Sequence, residues 1–199
     1  MAIRLATPST MAASMTCPFP HWPASIYAAS GVNYNIMLYL SDRGISRANA
    51  ASIVGLYGLF TVAGRFAMGF ILDRQPFHIG IVMGMVLATA SIAFLIIGLN
   101  QNIVVIIIGL CIYEFVLGAE VDCLSFSINK LFGELSFGAI YGVIGLTIFY
   151  IGVGFGGPSF SMLADHIFPY EGVFIIWSAI AAISNFSLFC TMRLKYYRG

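Results

Sequence analysis

Five stretches of this chain run for twenty residues or more with almost no charge: Ala48–Leu72, Phe77–Leu99, Ile103–Ile128, Phe137–Ala164 and Val173–Met192. No β-strand is that long, and the strands of a membrane barrel alternate apolar and polar residues with a period of two. Each stretch is long enough for a helix crossing a bilayer, which takes about 20 residues. A helix satisfies its own backbone polar groups, as a lipid surrounding demands. Charged residues make up only 9% of the chain and hydrophobic ones 60%, against roughly 25% charged in a soluble domain. Such a chain lacks the polar side chains to cover a globule in water. The expected fold is all-α, a polytopic membrane helix bundle.

A shorter apolar segment, Ile26–Leu40, precedes these five and carries Asn33 and Asn35. It is either a truncated helix or one that begins within the proline-containing segment before it. Residues 1–25 contain Pro18, Pro20 and Pro23 and no apolar core of signal-peptide length, so they are expected to form an extension. Residues 26–196 then form a six-helix membrane half-domain and 197–199 a short tail. Lys and Arg favour the cytoplasmic side. Arg74, Lys130, Arg193, Lys195 and Arg198 fall at one set of span ends, and Asp42, Arg43, Arg47, Asp165 and Glu171 at the other. The first set, with the C-terminus, is expected to be cytoplasmic in a multi-pass protein of the plasma membrane.

The net charge of +1 gives no footprint for nucleic acid, and Cys17, Cys111, Cys123 and Cys190 are too scattered for a disulfide framework or zinc site. No metal, cofactor or catalytic motif is present, so no enzyme is expected. His21 and His78 read as surface residues, and His166 as part of a loop with Asp165.

The chemistry must lie in the few polar residues within the apolar runs. Arg65 stands eight residues before Asp73, about 12 Å from the helix end. It either snorkels to the interface or faces a central cavity, where its guanidinium suits a carboxylate. Glu114 lies about 18 Å from Asn102, near the midplane. A charge there costs about 2.5–3.5 kcal/mol, so this carboxyl is expected to be protonated or paired, with Arg65 as a candidate partner. Glu120 and Asp122 reach the boundary of the same span and, at 100° per residue, point to different sides. With Asp73 and Arg74 they form a candidate cytoplasmic gate. Asn33 and Asn35 either line a cavity or act as glue between helices. Gly80/Gly84 and Gly138/Gly142 have the spacing of close helix contacts. Gly156-Gly157-Pro158 should bend or loosen its helix, either as a tolerated kink or as a point of movement.

Several of these residues stand in an order that resembles a known family. Leu40 to Ser46, the Ala50-Ala51 pair, Gly64-Arg65 and Gly69 to Asp73-Arg74 are followed by Gly118 to Asp122, Lys130 to Gly133, Phe137 to Gly142, Gly156-Gly157-Pro158 and Ala164-Asp165. Together they resemble the C-terminal six-helix half of a major facilitator superfamily transporter, in its monocarboxylate-transporter-like branch. The resemblance covers about residues 26–196. It implies a secondary carrier working by alternating access, with a small organic anion and a proton as its cargo. It also implies a partner, the N-terminal six-helix half. In that branch an arginine occupies the place of Arg65, and some members have an aspartate where Thr61 stands here. Thr61 therefore joins Arg65, Asn33 and Asn35 as a candidate substrate contact, and proton coupling passes to Glu114. Family members often follow the Asp-Arg pair with glycine and basic residues; this chain has Gln75-Pro76-Phe77-His78. The alternative is a truncated, transport-inactive membrane protein or an interaction subunit.

Overall fold

A computed structural model describes residues 21–74 and 79–193. Residues 1–20, 75–78 and 194–199 lie outside these, and with them His78, Lys195 and Arg198. Among the described residues there are seven α-helices and no strand. They are α1 (His21–Asp42), α2 (Arg47–Arg74), α3 (Ile79–Leu99), α4 (Ile103–Phe132), α5 (Glu134–Thr147), α6 (Gly154–His166) and α7 (Tyr170–Arg193). A π-helical segment, Ile148–Val153, joins α5 to α6 without a break.

Among the described residues, three helices are long and apolar enough to cross a membrane: Arg47–Arg74, Ile81–Leu99 and Ile103–Lys130. Glu134–Leu146 and Tyr170–Phe186 are shorter apolar helices. The start of α4 falls where the sequence placed it, and its end runs past Ile128 to Phe132. Asn102 caps α4, its side chain accepting from the Val104 N–H at 2.9 Å, as a short polar residue at that position should. The α4 C-terminus closes at Gly133, whose φ of 74° favours glycine and whose N–H reaches the Asn129 carbonyl. α1 starts at His21, inside the proline-containing segment. Pro23 lies in its first turn, where a missing N–H costs no helical hydrogen bond.

Neighbouring helices form a chain of contacts: α2 on α4, α4 on α3, α3 on α7, α7 on α1, and α1 on the π segment and α6. An aromatic cluster of Tyr39, Phe94, Phe160, Phe174 and Trp177 fills the core. Phe160 meets Trp177 and Phe174 edge-on at 5.3 and 5.5 Å, the arrangement that ring quadrupoles favour. Between α3 and α7, Ser91 and Ser178 each donate to the other's backbone carbonyl at 3.0 Å. One end of the bundle is tied by Arg43, which pairs with Glu171 at 2.7 Å and donates to Gln101 at 3.0 Å.

Two sequence expectations are corrected here. Gly138 and Gly142 face open space among the described residues, so this pair seats no neighbouring helix. The apolar run Phe137–Ala164 is not one uniform helix either, because the π segment widens it before Gly156-Gly157-Pro158.

Candidate functional site

α2 crosses α4 with backbone against backbone. A Cβ added to Gly64 would run into the Phe115 carbonyl, and one added to Gly118 would run into the Thr61 carbonyl. The two backbones touch because both contact positions are glycine. This brings Thr61 to Glu114. The Thr61 hydroxyl lies 2.9 Å from Glu114 Oε2 and 2.8 Å from the Tyr57 carbonyl one turn earlier. Glu114 is only 5% exposed. Tyr57 and Tyr113 are buried nearby, and each feels the Glu114 carboxyl electrostatically.

Arg65 lies one turn beyond Thr61 and is exposed at the margin of this crossing. It makes no ion pair among the described residues. The anticipated Arg65–Glu114 pair is therefore replaced by a Thr61–Glu114 hydrogen bond. The crossing is so close that a hydroxyl bridges the helices without an intervening guanidinium.

The two asparagines of α1 separate. Asn33 is exposed, whereas Asn35 is buried and its amide is committed between helices. Asn35 Nδ2 donates to the Gly31 and Gly157 carbonyls at 2.9 and 3.1 Å, and its Oδ1 accepts from Ser161 at 2.6 Å. Ser30 donates to the Gly152 carbonyl, within the π segment, at 2.6 Å. Gly156 packs so tightly on Ser30 and the Tyr27 carbonyl that a Cβ would overlap both. Gly157 rests on the Tyr34 ring. Pro158 lies inside α6 and has no N–H to return to the carbonyl one turn earlier. The Gly156-Gly157-Pro158 stretch is thus a helix segment seated closely on α1, with the Gly157 carbonyl accepting from Asn35 of α1.

At the opposite end from Arg43, Asp73 and Asp122 line one cavity of about 370 Å³, together with Glu134, Asn129 and Ser125. Arg74 does not enter this lining; its guanidinium sits 4.1 Å from the centre of the Phe70 ring, a cation–π contact. Glu120 is buried and also absent from the lining, in keeping with the different directions in which it and Asp122 point. The candidate gate residues therefore split: two carboxylates on the cavity, the cation beside it, and the third carboxylate within the bundle.

Sequence reasoning missed Glu134, Ser161, Tyr57 and Tyr113. Gly133 was the available signal for Glu134, since a glycine closing one helix puts the next residue in the first turn of another. Ser161 and the tyrosines had no local signal; their roles depend on contacts with other helices. No protein-family model and no curated protein sequence matches the chain.

Proposed function

We propose that this chain is one six-helix half of a proton-coupled secondary carrier for small organic anions such as monocarboxylates, a multi-pass protein with its C-terminus cytoplasmic. The observation that carries the reading is the Thr61–Glu114 pair, a buried carboxyl held across two helices one turn from an arginine. A carboxyl inside a membrane bundle is a natural proton carrier. A guanidinium at the edge of the same crossing suits a carboxylate substrate. In this reading Arg65, with Asn33 and Thr61, faces a pathway shared with an N-terminal half. Asp73 and Asp122 close its cytoplasmic end, where the cavity they line would take a cationic side chain from that partner. The irregular α5–α6 connection supplies the movement that alternating access needs.

The test is uptake of labelled monocarboxylates into vesicles carrying the full chain, with and without a co-expressed partner half, under an imposed pH gradient. Arg65→Ala is expected to abolish anion uptake, and Glu114→Gln to remove its dependence on the gradient. Uptake unchanged by both substitutions together would overturn the site assignment.

One observation favours the alternative, an interaction subunit without transport of its own. α2 leaves most of its surface open, with Gly55 and Gly58 facing nothing within 4 Å. Uptake absent under every pairing, with stable capture of another membrane protein through α2, would favour it.

A further inference from the structure

Three buried phenols near this site have no hydrogen-bond partner among the described residues: the hydroxyls of Tyr39, Tyr57 and Tyr113. Buried polar atoms are nearly always satisfied, by protein or by ordered water. Three orphaned phenols in one core cluster, where the Trp177 indole N–H is also without a partner among the described residues, call for an explanation.

Their positions are ordered in depth. Tyr39 precedes Arg43 by one turn, about 6 Å into the bundle; Tyr57 is ten residues past Arg47, about 15 Å in; Glu114 is twelve past Asn102, about 18 Å in. Tyr39 also carries the Arg43 guanidinium over its ring, 5.2 Å from the centroid, and so touches the ion pair at the bundle end. Tyr57 lies within electrostatic reach of both Tyr39 and Glu114, and Tyr113 within reach of Tyr57 and Glu114. The ionisable groups around Glu114 are Tyr57 and the exposed Arg65 on α2, Cys111, Tyr113 and Glu120 on α4, and Tyr39 beyond on α1. α3 has no ionisable side chain at all.

The acceptor itself is arranged to receive a proton. The Thr61 hydroxyl has one hydrogen and two oxygens in range, the Glu114 carboxyl and the Tyr57 carbonyl. With Glu114 protonated, its O–H donates to Thr61 Oγ1, and Thr61 donates to the Tyr57 carbonyl, so every partner is satisfied. With Glu114 ionised, the single Thr61 hydrogen has to serve two acceptors.

Resting on the carrier reading above, we propose that protons reach Glu114 from the Arg43–Glu171 end of the bundle, along a file of tyrosine hydroxyls, Tyr39 and then Tyr57. Tyr113 stands beside the acceptor, and water bridges the gaps. A hydronium at the bundle end gives a proton to the first hydroxyl or water. Each member accepts one proton and passes its own inward. The Glu114 carboxylate gains the last one, and every phenol ends as it began. Bridging water suits such orphaned hydroxyls, since buried waters typically make two to four hydrogen bonds.

The test follows the carboxyl by infrared spectroscopy on the full chain in liposomes. A protonated-carboxyl band lost in Glu114→Gln identifies the group, and its shift after transfer to heavy water reads the exchange rate. Tyr39→Phe and Tyr57→Phe are each expected to slow exchange about tenfold or more. Tyr27→Phe is the control, because the Tyr27 hydroxyl is spent on Ser159 at 2.5 Å; it should leave the rate unchanged. Exchange at the unaltered rate in both Tyr39→Phe and Tyr57→Phe would overturn the route, as would the absence of any band lost in Glu114→Gln. The readout is independent of transport. Slowed exchange without uptake would keep the route and sink the carrier reading, while uptake with unslowed exchange would do the reverse.

Discussion

The most informative single residue is Thr61, because it shows what a buried carboxyl accepts in place of a countercharge. A lone hydroxyl holds Glu114 at 2.9 Å and is itself anchored on the Tyr57 carbonyl. Thr61→Val keeps the shape and removes the hydroxyl, leaving a buried carboxyl oxygen without its partner, a loss of about 1–3 kcal/mol. Thermal unfolding in detergent should show Thr61→Val clearly destabilised and Thr61→Ser close to the parent. Equal midpoints for all three would mean that the bond contributes nothing. The chemistry of this site was half legible. Glu114 drew notice because a carboxyl deep in an apolar run is costly wherever it sits. Thr61 drew notice only through the family resemblance, as a candidate substrate contact; its pairing with Glu114 depends on the α2–α4 crossing, which no local signal announces. Arg65 seemed the natural partner on charge alone, and the closeness of the backbones at that crossing decided otherwise.

At the scale of helices, glycine spacing was a poor guide and glycine position a good one. Gly138 and Gly142 have the i, i+4 spacing of a packing motif yet face open space, whereas Gly64 and Gly118, on different helices, bring two backbones into contact. Sequence spacing records which residues share a face of one helix; it cannot say whether another helix lies against that face. One helix end was better read: the α4 start follows Asn102 as expected, while its C-terminus runs four residues past Ile128 to Phe132. Asn102 and Gly133 bound α4 through side-chain and backbone chemistry that needs no distant partner. The contrast gives a paired prediction. Gly64→Ala or Gly118→Ala puts a methyl group against a carbonyl and should sharply reduce the folded yield in detergent extracts. Gly142→Ala meets nothing and removes the cost of a glycine within a helix, so it should be neutral or stabilising by up to about 1 kcal/mol. A loss of folded protein for Gly142→Ala as large as for Gly118→Ala would place a helix against the α5 face.

For the whole molecule, the central question is which ends share a side of the membrane. Arg43 and Gln101 from two connections and Glu171 from the first turn of α7 meet at one end. Asp73, Asn129 and Glu134 line one cavity at the other. α2 and α4, with 28 and 30 residues, are about 42 and 45 Å long, more than the roughly 30 Å of a hydrocarbon core. Both ends of these helices can therefore reach water on opposite sides. The proposed orientation puts the Arg74 and Lys130 end, followed in the sequence by Arg193, Lys195 and Arg198, in the cytoplasm and the Arg43 end outside. This arrangement is testable in intact cells by single cysteines in a background freed of Cys17, Cys111, Cys123 and Cys190. Ser46→Cys and Gln101→Cys should react with a membrane-impermeant maleimide before permeabilisation, and Asn129→Cys only after it. Labelling of all three in intact cells would remove the two-sided topology, and with it any inward proton route from the Arg43 end. A reversed pattern would keep the bundle and invert its orientation. Glu114 would then load from the cytoplasm, turning a carrier that draws its proton from outside into one that releases it there.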